Sequence, residues 1–422
     1  MVNRQNWDWD NGEKEIADIG AWKDKFLGVE EPYASPDGEK IAAIVKPDEM
    51  EFSVCENDAV WEDVFDKVWY LRFGPDNRLT ALVSDTEEWT LAVDQSAWEH
   101  RFDYVWDTHF SEDGKHIVIA AQKEGRYMGV TDDTPWETDF ETMNNLTVSR
   151  DGEHTAAAVQ IVSFQSGDIF KFQEGAYSVA VNGRAWPNNF VNVWDMAFSP
   201  DNLHVAAAIR INLYDYTIAV DGVPWRQTFN GVWEPQISPR DGSVTAPVRV
   251  GGKWMLAKNG EVFWDRQFVQ LWHHQYNKDG QTIAAIVASE FGRWTVAVNG
   301  TPWALTFGDL VTDMVFSPDG AKVACVGKEN GKWNIALDGV RWPGDFDMAW
   351  KPVFSPDGNN LAAKVEKNGQ YSIVVNGKML NRQFDMIWDP VFNPDGDKLL
   401  IRGVKSGESK YYRQVVPLAA LV

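Results

Sequence analysis

The stretch Phe384-Asp-Met-Ile-Trp-Asp-Pro-Val-Phe-Asn-Pro-Asp-Gly396 occurs twice in the chain with few changes. Thirty-eight residues earlier the sequence reads Phe346-Asp-Met-Ala-Trp-Lys-Pro-Val-Phe-Ser-Pro-Asp-Gly358. The aspartate of this turn recurs ten times in 422 residues, at intervals of 37 to 40 with one interval of 50. Its positions are Asp37, Asp76, Asp113, Asp151, Asp201, Asp241, Asp279, Asp319, Asp357 and Asp395. Such a period indicates a repeat architecture.

Each copy contains four short apolar runs separated by turn signals. In the copy that begins at Phe307, the runs are residues 314–316, 322–326, 333–337 and 340–342. Ser317-Pro-Asp-Gly320 and Asp338-Gly339 are turn and hairpin sequences. Four antiparallel strands per copy are typical of a propeller blade. The predicted fold is all-β: a β-propeller of about ten four-stranded blades in one closed ring. A smaller ring with irregular extra blades and two five-bladed rings are the alternatives.

The two chain ends predict how the ring closes. Residues 1–20 form an acidic N-terminal extension, residues 21–416 the propeller, and residues 417–422 an apolar tail. Trp22-Lys-Asp-Lys-Phe26 matches a fourth strand and the loop after it. The last copy supplies strands at 386–392, 398–404 and 411–416 but no fourth strand. Pairing between the chain ends would fill this place and remove two sheet edges.

Tryptophan follows the repeat. The chain has 22 tryptophans, and seven of them lie four residues after the phenylalanine that opens a copy. These are Trp69, Trp106, Trp194, Trp233, Trp272, Trp350 and Trp388. Large aromatic side chains dominate the packing of such cores. We therefore expect these residues to wedge neighbouring blades together.

Charge and cysteine content limit the possible partners and compartment. The net charge of −23 argues against binding to nucleic acid or to an anionic membrane surface. The first residues lack an apolar signal segment, and no run approaches the ~20 apolar residues of a membrane-spanning helix. Cys55 and Cys325 belong to distant copies, so buried free thiols are expected. These features predict a cytoplasmic protein.

The Phe-Ser-Pro-Asp-Gly turns, each followed by an alanine-rich strand, resemble the WD-repeat-like propellers of the TolB type. The dense tryptophan and the missing signal resemble the tryptophan-rich subunit of a transmembrane redox complex of sulfate-reducing bacteria. This second resemblance implies a non-catalytic scaffold or docking subunit of a respiratory electron-transfer complex. Its partners would be an iron–sulfur and membrane cytochrome assembly, and it would lie peripherally on the inner face of the cytoplasmic membrane.

Two other functions remain open: a soluble peptide-binding hub, and a propeller enzyme of quinoprotein or lyase type with a site at the channel mouth. Gly252-Lys-Trp254 and Gly331-Lys-Trp333 faintly resemble the blade motif of quinone-cofactor dehydrogenases. The chain has no adjacent cysteine pair and no convergent set of histidines and acids. The adjacent His273 and His274 would point to opposite faces of a strand. We therefore expect no catalytic, cofactor-binding or metal-binding residues.

The residue directly after the repeated phenylalanine varies along the chain. It is acidic in early and late copies, at Asp66, Asp103, Glu141, Asp347 and Asp385. In the copies between, it is Val191, Asn230, Val269 and Gly308. In a closed ring this distribution predicts a one-sided acidic surface at the channel mouth. A basic protein could dock there, because charge complementarity sets orientation and on-rate.

The interval of 50 residues marks an insertion, Ser163-Phe-Gln-Ser-Gly-Asp-Ile-Phe-Lys-Phe-Gln-Glu-Gly175. About a dozen residues replace a tight hairpin between the second and third strands of copy four. We expect a projecting ribbon that inserts into a partner, on the same face as the acidic positions. Its apolar contact residues would be Phe164, Ile169, Phe170 and Phe172.

Overall fold

The chain forms repeated antiparallel sheets in a computed structural model that describes residues 4–164 and 168–421. In this part of the chain, eight sheets have four strands each and one sheet has ten. We number the four-stranded sheets 1 to 8 in chain order and call the last one the terminal sheet. In sheets 1 to 8 the strands are neighbours in chain order, first to fourth. The predicted all-β class and four-stranded repeats are confirmed.

The strand bounds follow the repeat closely. Sheet 1 consists of Gly28–Ala34, Ile41–Asp48, Glu51–Glu56 and Ala59–Val60. Sheet 2 consists of Lys67–Phe73, Leu79–Asp85, Glu88–Val93 and Ser96–Ala97. Sheet 3 consists of Tyr104–Phe110, Ile117–Lys123, Arg126–Thr131 and Thr134–Pro135. Sheet 4 consists of Met143–Val148, Thr155–Gln160, Tyr177–Val181 and Arg184–Ala185. Sheet 5 consists of Asn192–Phe198, Val205–Arg210, Tyr216–Val220 and Val223–Pro224. Sheet 6 consists of Gln236–Ile237, Val244–Val250, Lys253–Lys258 and Glu261–Phe268. Sheets 7 and 8 consist of Gln270–Tyr276, Ile283–Glu290, Arg293–Val298 and Thr301–Pro302; and Leu310–Phe316, Val323–Glu329, Lys332–Leu337 and Val340–Arg341.

The terminal sheet contains both ends of the described chain. Its main path runs through Gly12–Asp18, Lys410–Pro417, Lys398–Lys405, Phe384–Ile387, Gln370–Val375, Leu361–Lys367 and Met348–Ala349. The short strands Val353–Phe354, Lys378–Met379 and Val391–Phe392 pair beside this path. One residue pair, Tyr371 with Phe384, joins its two halves. An equivalent pair occurs as an isolated bridge in other copies, such as Tyr127 with Phe140.

The chain divides into two compact units. One consists of Met1–Val105 and Thr312–Val422, and the other of Trp106–Val311. The first unit holds sheets 1 and 2, most of sheet 8 and the terminal sheet. The second unit holds most of sheet 3 and sheets 4 to 7.

The N-terminal region differs from the prediction. Residues 22–26, expected as a fourth strand, lie mostly in a short helix, α1 (Ile19–Lys25). The Asp18 carboxylate accepts the Ala21 N–H at 3.0 Å and caps this helix. The place beside Lys410–Pro417 is instead filled by Gly12–Asp18, from within the segment expected to be an acidic extension.

Serine and aspartate side chains order the turns between first and second strands. In sheet 8 the Asp319 carboxylate accepts the Ser317 hydroxyl at 2.5 Å and the Ala321 N–H at 3.1 Å. The Ser317 hydroxyl oxygen in turn accepts the Lys322 N–H at 2.9 Å. The same serine–aspartate pattern recurs at Ser355 and other copies. The repeated aspartates therefore hold the turns by hydrogen bonds.

The second strands pass through the core and are buried on both faces. In sheet 5, Ala206, Ala207 and Ala208 are all 0% exposed. A strand covered on both faces loses the apolar–polar alternation of a half-exposed strand. Small alanines let neighbouring sheets approach closely, and tryptophans fill the remaining space. Trp194, for example, packs against buried residues of sheets 5 and 6.

Within the first unit, sheet 1 packs directly against the terminal sheet. Two buried arginines of the terminal sheet donate hydrogen bonds to the turn between the first and second strands of sheet 1. Arg402 donates to the Ser35 carbonyl at 2.7 Å, and Arg413 donates to the Asp37 carbonyl at 2.9 Å. The Tyr411 hydroxyl donates to the Gly38 carbonyl at 3.1 Å. Sequence reasoning missed this junction, because nothing in the repeat marks these arginines as buried.

Candidate interaction surface

The predicted acidic positions lie at the end of each sheet where its second and third strands are joined. Three of the acids accept a backbone N–H from that turn. The Thr86 N–H donates to the Asp66 carboxylate at 2.8 Å. The Asn368 N–H donates to Asp347 at 2.6 Å, and the Gly407 N–H donates to Asp385 at 2.9 Å. These acids therefore have a structural task that the sequence did not reveal. Each one is joined to the turn of its own sheet.

The other two acids have different surroundings. Glu141 accepts a hydrogen bond from the Gln160 side chain at 2.9 Å. Gln160 ends the second strand of sheet 4, so Glu141 lies at the same end of that sheet as the insertion. Asp103 is exposed and precedes the exposed Tyr104.

Two of these carboxylates are held firmly in the charged form. The hydrogen bond from the Lys332 ammonium, at 2.5 Å, lowers the pKa of Asp347. The Gly407 N–H lowers the pKa of Asp385. Both side chains therefore carry a negative charge at neutral pH while they hold their turns.

The insertion forms a short helix, α2 (Ile169–Glu174), so the predicted extended ribbon is wrong over these residues. Residues 165–167, which belonged to that prediction, lie outside the described residues. The Asp168 carboxylate accepts the Lys171 N–H at 3.3 Å and caps the helix. At the other end, the Asn189 side chain donates to the Gly175 carbonyl at 2.6 Å.

The four predicted apolar contact residues of the insertion fall into two classes. Phe164 and Phe172 are half-buried, with ring centroids 6.2 Å apart. Ile169 and Phe170 are 62% and 79% exposed. The first pair belongs to the packing of the insertion, and the second pair presents apolar surface to solvent.

Two further exposed aromatic residues occur at the corresponding turns of the same unit. Tyr214, in the second-to-third turn of sheet 5, is 77% exposed, and Phe291, in that of sheet 7, is 95% exposed. With Ile169 and Phe170 they are aromatic and aliphatic side chains at the same strand ends of sheets 4, 5 and 7. For Phe291 the sequence signal was a single apolar residue inside a polar turn, and for Tyr214 it was a turn that also contains Ile211 and Leu213.

Each of the seven repeat tryptophans pairs with an aromatic residue of a third strand. The pairs and their centroid separations are Trp69 with Trp89 at 5.9 Å, Trp106 with Tyr127 at 6.0 Å, Trp194 with Tyr216 at 5.8 Å, Trp233 with Trp254 at 5.4 Å, Trp272 with Trp294 at 4.7 Å, Trp350 with Tyr371 at 5.8 Å, and Trp388 with Tyr411 at 5.5 Å. Trp69 is 42% exposed and Trp233 is 37% exposed. The tryptophans thus combine core packing with an exposed edge.

The adjacent histidines have opposite surroundings. His274 is fully buried and its Nε2 lies 2.9 Å from the Thr245 hydroxyl, and burial lowers the pKa of His274 to about 3. His273 is exposed, and its backbone N–H donates to the Glu234 carboxylate. Burial raises the pKa of Glu234 and also that of Asp195. The two imidazoles cannot ligate one ion.

Other features of the described chain have simple structural explanations. Cys55 and Cys325 are free and buried, as predicted, and burial raises the pKa of Cys55 to about 11. Leu418 of the apolar tail is buried in the terminal core, and Leu421 packs beside it. Residues 4–164 and 168–421 contain no group of three or more His, Cys, Asp or Glu arranged to hold a metal ion. In the same ranges no helix has the length and apolar character to cross a bilayer.

Comparison with known proteins defines the fold more than the function. No protein-family model matches the chain, and no curated protein sequence matches it significantly. A crystal structure of the eukaryotic initiation factor is similar, with a TM-score of 0.50 and 15% identity over 76% of this chain and 88% of the other.

Two propellers also match. They are the Myceliophteria thermophila Cps50 (Swd1) β-propeller domain (TM-score 0.31, 13% identity, 65% of this chain and 96% of the other) and the Dos1 propeller (TM-score 0.35, 11% identity, 95% and 94%). Such low identities concern the fold alone. The chain is an all-β protein of repeated four-stranded sheets, and the solved structures that match it include propellers.

Proposed function

We propose that this chain is a non-catalytic scaffold that docks other proteins through the sheet ends that carry helix α2. The observation that carries this proposal is the exposure of Ile169 and Phe170 on a helix anchored at both ends. A six-residue helix is too short to be stable alone. The Asp168 cap and the Asn189 contact therefore hold these apolar side chains in solvent, where exposed aromatic clusters mark contact surfaces.

The acidic positions have a separate role in the proposal. In the unit Met1–Val105 and Thr312–Val422, the residues Asp66, Asp103, Asp347 and Asp385 would orient a basic partner. In the unit Trp106–Val311, Glu141 would do so beside α2, where the exposed apolar residues supply the contact energy. Assignment to a membrane-bound respiratory complex, with iron–sulfur and cytochrome partners at the cytoplasmic face, rests only on the sequence resemblance.

We also propose that the ten copies form ten blades of one closed ring. The terminal sheet divides at the Tyr371–Phe384 pair into two halves, and the chain ends pair within it. A smaller ring with extra blades and two five-bladed rings are the competing arrangements. Class averages from electron microscopy would count the blades directly.

The docking role is tested by two matched substitutions on α2. Phe170→Ser removes an exposed ring, so it should leave the melting temperature within about 1 °C while copurification of the native partner is lost. Phe172→Ser removes a ring packed on Phe164 and should lower the melting temperature. Retained copurification with Phe170→Ser, or a large loss of stability, would show that the helix serves only its own sheet.

A further inference from the structure

The turn between the first and second strands of sheet 6 departs from the repeat. Elsewhere an aspartate follows the first turn residue by two positions, as Asp319 follows Ser317. In sheet 6 the turn reads Ser238-Pro-Arg-Asp-Gly-Ser243, so Arg240 takes the place of the aspartate. The Asp-Gly pair is shifted one residue later, and Asp241 accepts the Ser243 hydroxyl at 2.6 Å.

This shift opens a gap between sheets 5 and 6. In other copies the turn glycine packs on the preceding turn: a Cβ on Gly152 would lie 2.7 Å from Ser111, and one on Gly396 would lie 3.2 Å from Asp357. A Cβ on Gly242 would meet nothing within 4 Å. The space beside it is a cavity of about 670 Å³, which we call the first lobe.

A second lobe of about 460 Å³ adjoins the first. The two lobes share an apolar floor of Pro200, Ile237 and Pro239. Both belong to the unit Trp106–Val311. They lie at the strand ends opposite to helix α2, because the first-to-second turns are at the other end of each sheet.

The charge of the lobes is opposite to that of the protein. Four basic side chains line them, although the whole chain has a net charge of −23. The first lobe has His204 and Arg240, and the second has Arg150 and Lys278. Arg240 and Lys278 are exposed and form no ion pair with the residues that the structure describes.

The two acids that line the first lobe are already engaged. Asp221 accepts the Val205 N–H at 2.9 Å and lies 2.6 Å from His204 Nδ1. Asp201 accepts the Ser199 hydroxyl and the Leu203 N–H. Of the four basic groups, His204 faces Asp221 and Arg150 lies 3.7 Å from Glu112, so Arg240 and Lys278 are the two whose charges meet an arriving ligand without an ion-pair partner among the described residues.

The second lobe also holds a polar atom without a partner. The Tyr276 hydroxyl is buried and has no hydrogen-bond partner among the described residues. A buried hydroxyl of this kind is costly unless a ligand satisfies it. Tyr276 lines the second lobe, so its hydroxyl could donate to a carboxylate bound there.

We infer that the two lobes bind an extended acidic peptide segment of a partner protein. A small anion would occupy one lobe, whereas an extended chain can place carboxylates in both while apolar side chains cover the shared floor. Charge-assisted hydrogen bonds from Arg240 and Lys278 would hold those carboxylates. This site is independent of α2, so it would stand if the proposed docking role of that helix failed.

The test is calorimetric titration of the full chain with a blocked octapeptide that has three glutamates separated by alanine, proline and valine. The wild-type protein should bind this peptide, and a peptide with lysine in place of each glutamate should not bind. Arg240→Gln and Lys278→Gln should each weaken binding about tenfold, the effect of one charge-assisted hydrogen bond. Arg226→Gln is the matched control, because Arg226 is exposed in the same unit but away from the lobes.

Tyr276→Phe provides a variant that should not unfold the protein. It removes an unpartnered hydroxyl, so the melting temperature should stay the same or rise while peptide binding weakens several-fold. Absence of binding by the wild-type protein at millimolar peptide would overturn the inference. Equal weakening by Arg226→Gln and Arg240→Gln would also overturn it, because the attraction would then be unspecific.

Discussion

Many of the polar side chains in the repeat satisfy backbone groups of their own blade. Asp338 begins the turn after the third strand of sheet 8, at φ 48°, and accepts the Val323 N–H at 2.8 Å. The Asp-Gly sequence predicts the hairpin, because aspartate and glycine tolerate positive φ. The hydrogen bond from Val323, which lies fifteen positions earlier, depends on strand pairing that no local sequence pattern contains.

His274 should make stability depend on pH. Its pKa is about 3 in the folded protein, below the ordinary 6.5, so the unfolded chain binds its proton more readily. The stabilising contribution is therefore complete above pH 6.5 and is lost as the pH falls toward 3.

Replacement of His274 by Gln removes this titration. From pH 7 to pH 5.5 the unfolding free energy of the wild-type protein should fall by about 1 kcal/mol more than that of His274→Gln. Urea unfolding at the two pH values measures this difference. Parallel changes in the two proteins would mean that His274 is not the buried neutral group described above.

Among the structural elements, the insertion shows how far local sequence reasoning reaches. Its place between the second and third strands of sheet 4 was predicted correctly from the interval of 50 residues. Its conformation was not, since Phe170 and Phe172 alternate as in a strand and six residues are too few to show helical periodicity. The Asp168 cap and the Asn189 contact favour the helix. The Asn189 contact is tertiary, so local sequence reasoning does not reach it.

The N-terminal strand should be important for stability. Gly12–Asp18 covers the edge of Lys410–Pro417 and buries Ala17. A chain shortened to begin at residue 19 should melt at least about 5 °C lower, because it loses a hydrogen-bonded strand and its apolar burial. It should also self-associate, since an exposed edge can pair with another chain.

A chain shortened to begin at residue 11 is the control for this prediction. It keeps the strand and loses only the contacts of the preceding residues, so its melting temperature should change less. Light scattering should give this shortened chain the same association state as the full chain. Equal melting temperatures for the two shortened chains would mean that the strand adds little.

At the scale of the whole molecule, the repeat period predicted the sheet type, the turn positions and the phase of the tryptophans. It could not predict the junction made by Arg402 and Arg413, or the cavity beside Gly242. Those features depend on which copies become neighbours in space. The candidate surface stays a prediction, and the turn-holding task of its acids depends on the folded loops.

Charge should act on stability and on association in opposite directions. The excess of acids causes self-repulsion, so raising NaCl from 0.05 to 0.5 M should raise the melting temperature by screening it. The same screening should slow association with a basic partner if the acidic positions steer it.

Neutral substitutions separate these two effects. Asparagine keeps an acceptor for the Thr86 and Gly407 N–H groups, so the combined replacement of Asp66, Asp103 and Asp385 by Asn should change stability by less than about 1 kcal/mol. Association with the copurified partner at low salt should slow about tenfold, and the rates should converge at high salt. Asp66→Asn alone should slow association more than Glu153→Gln, which removes one exposed charge at the opposite strand ends. Equal rates for the triple variant and the wild-type protein at low salt would show that the acids hold turns without steering any partner.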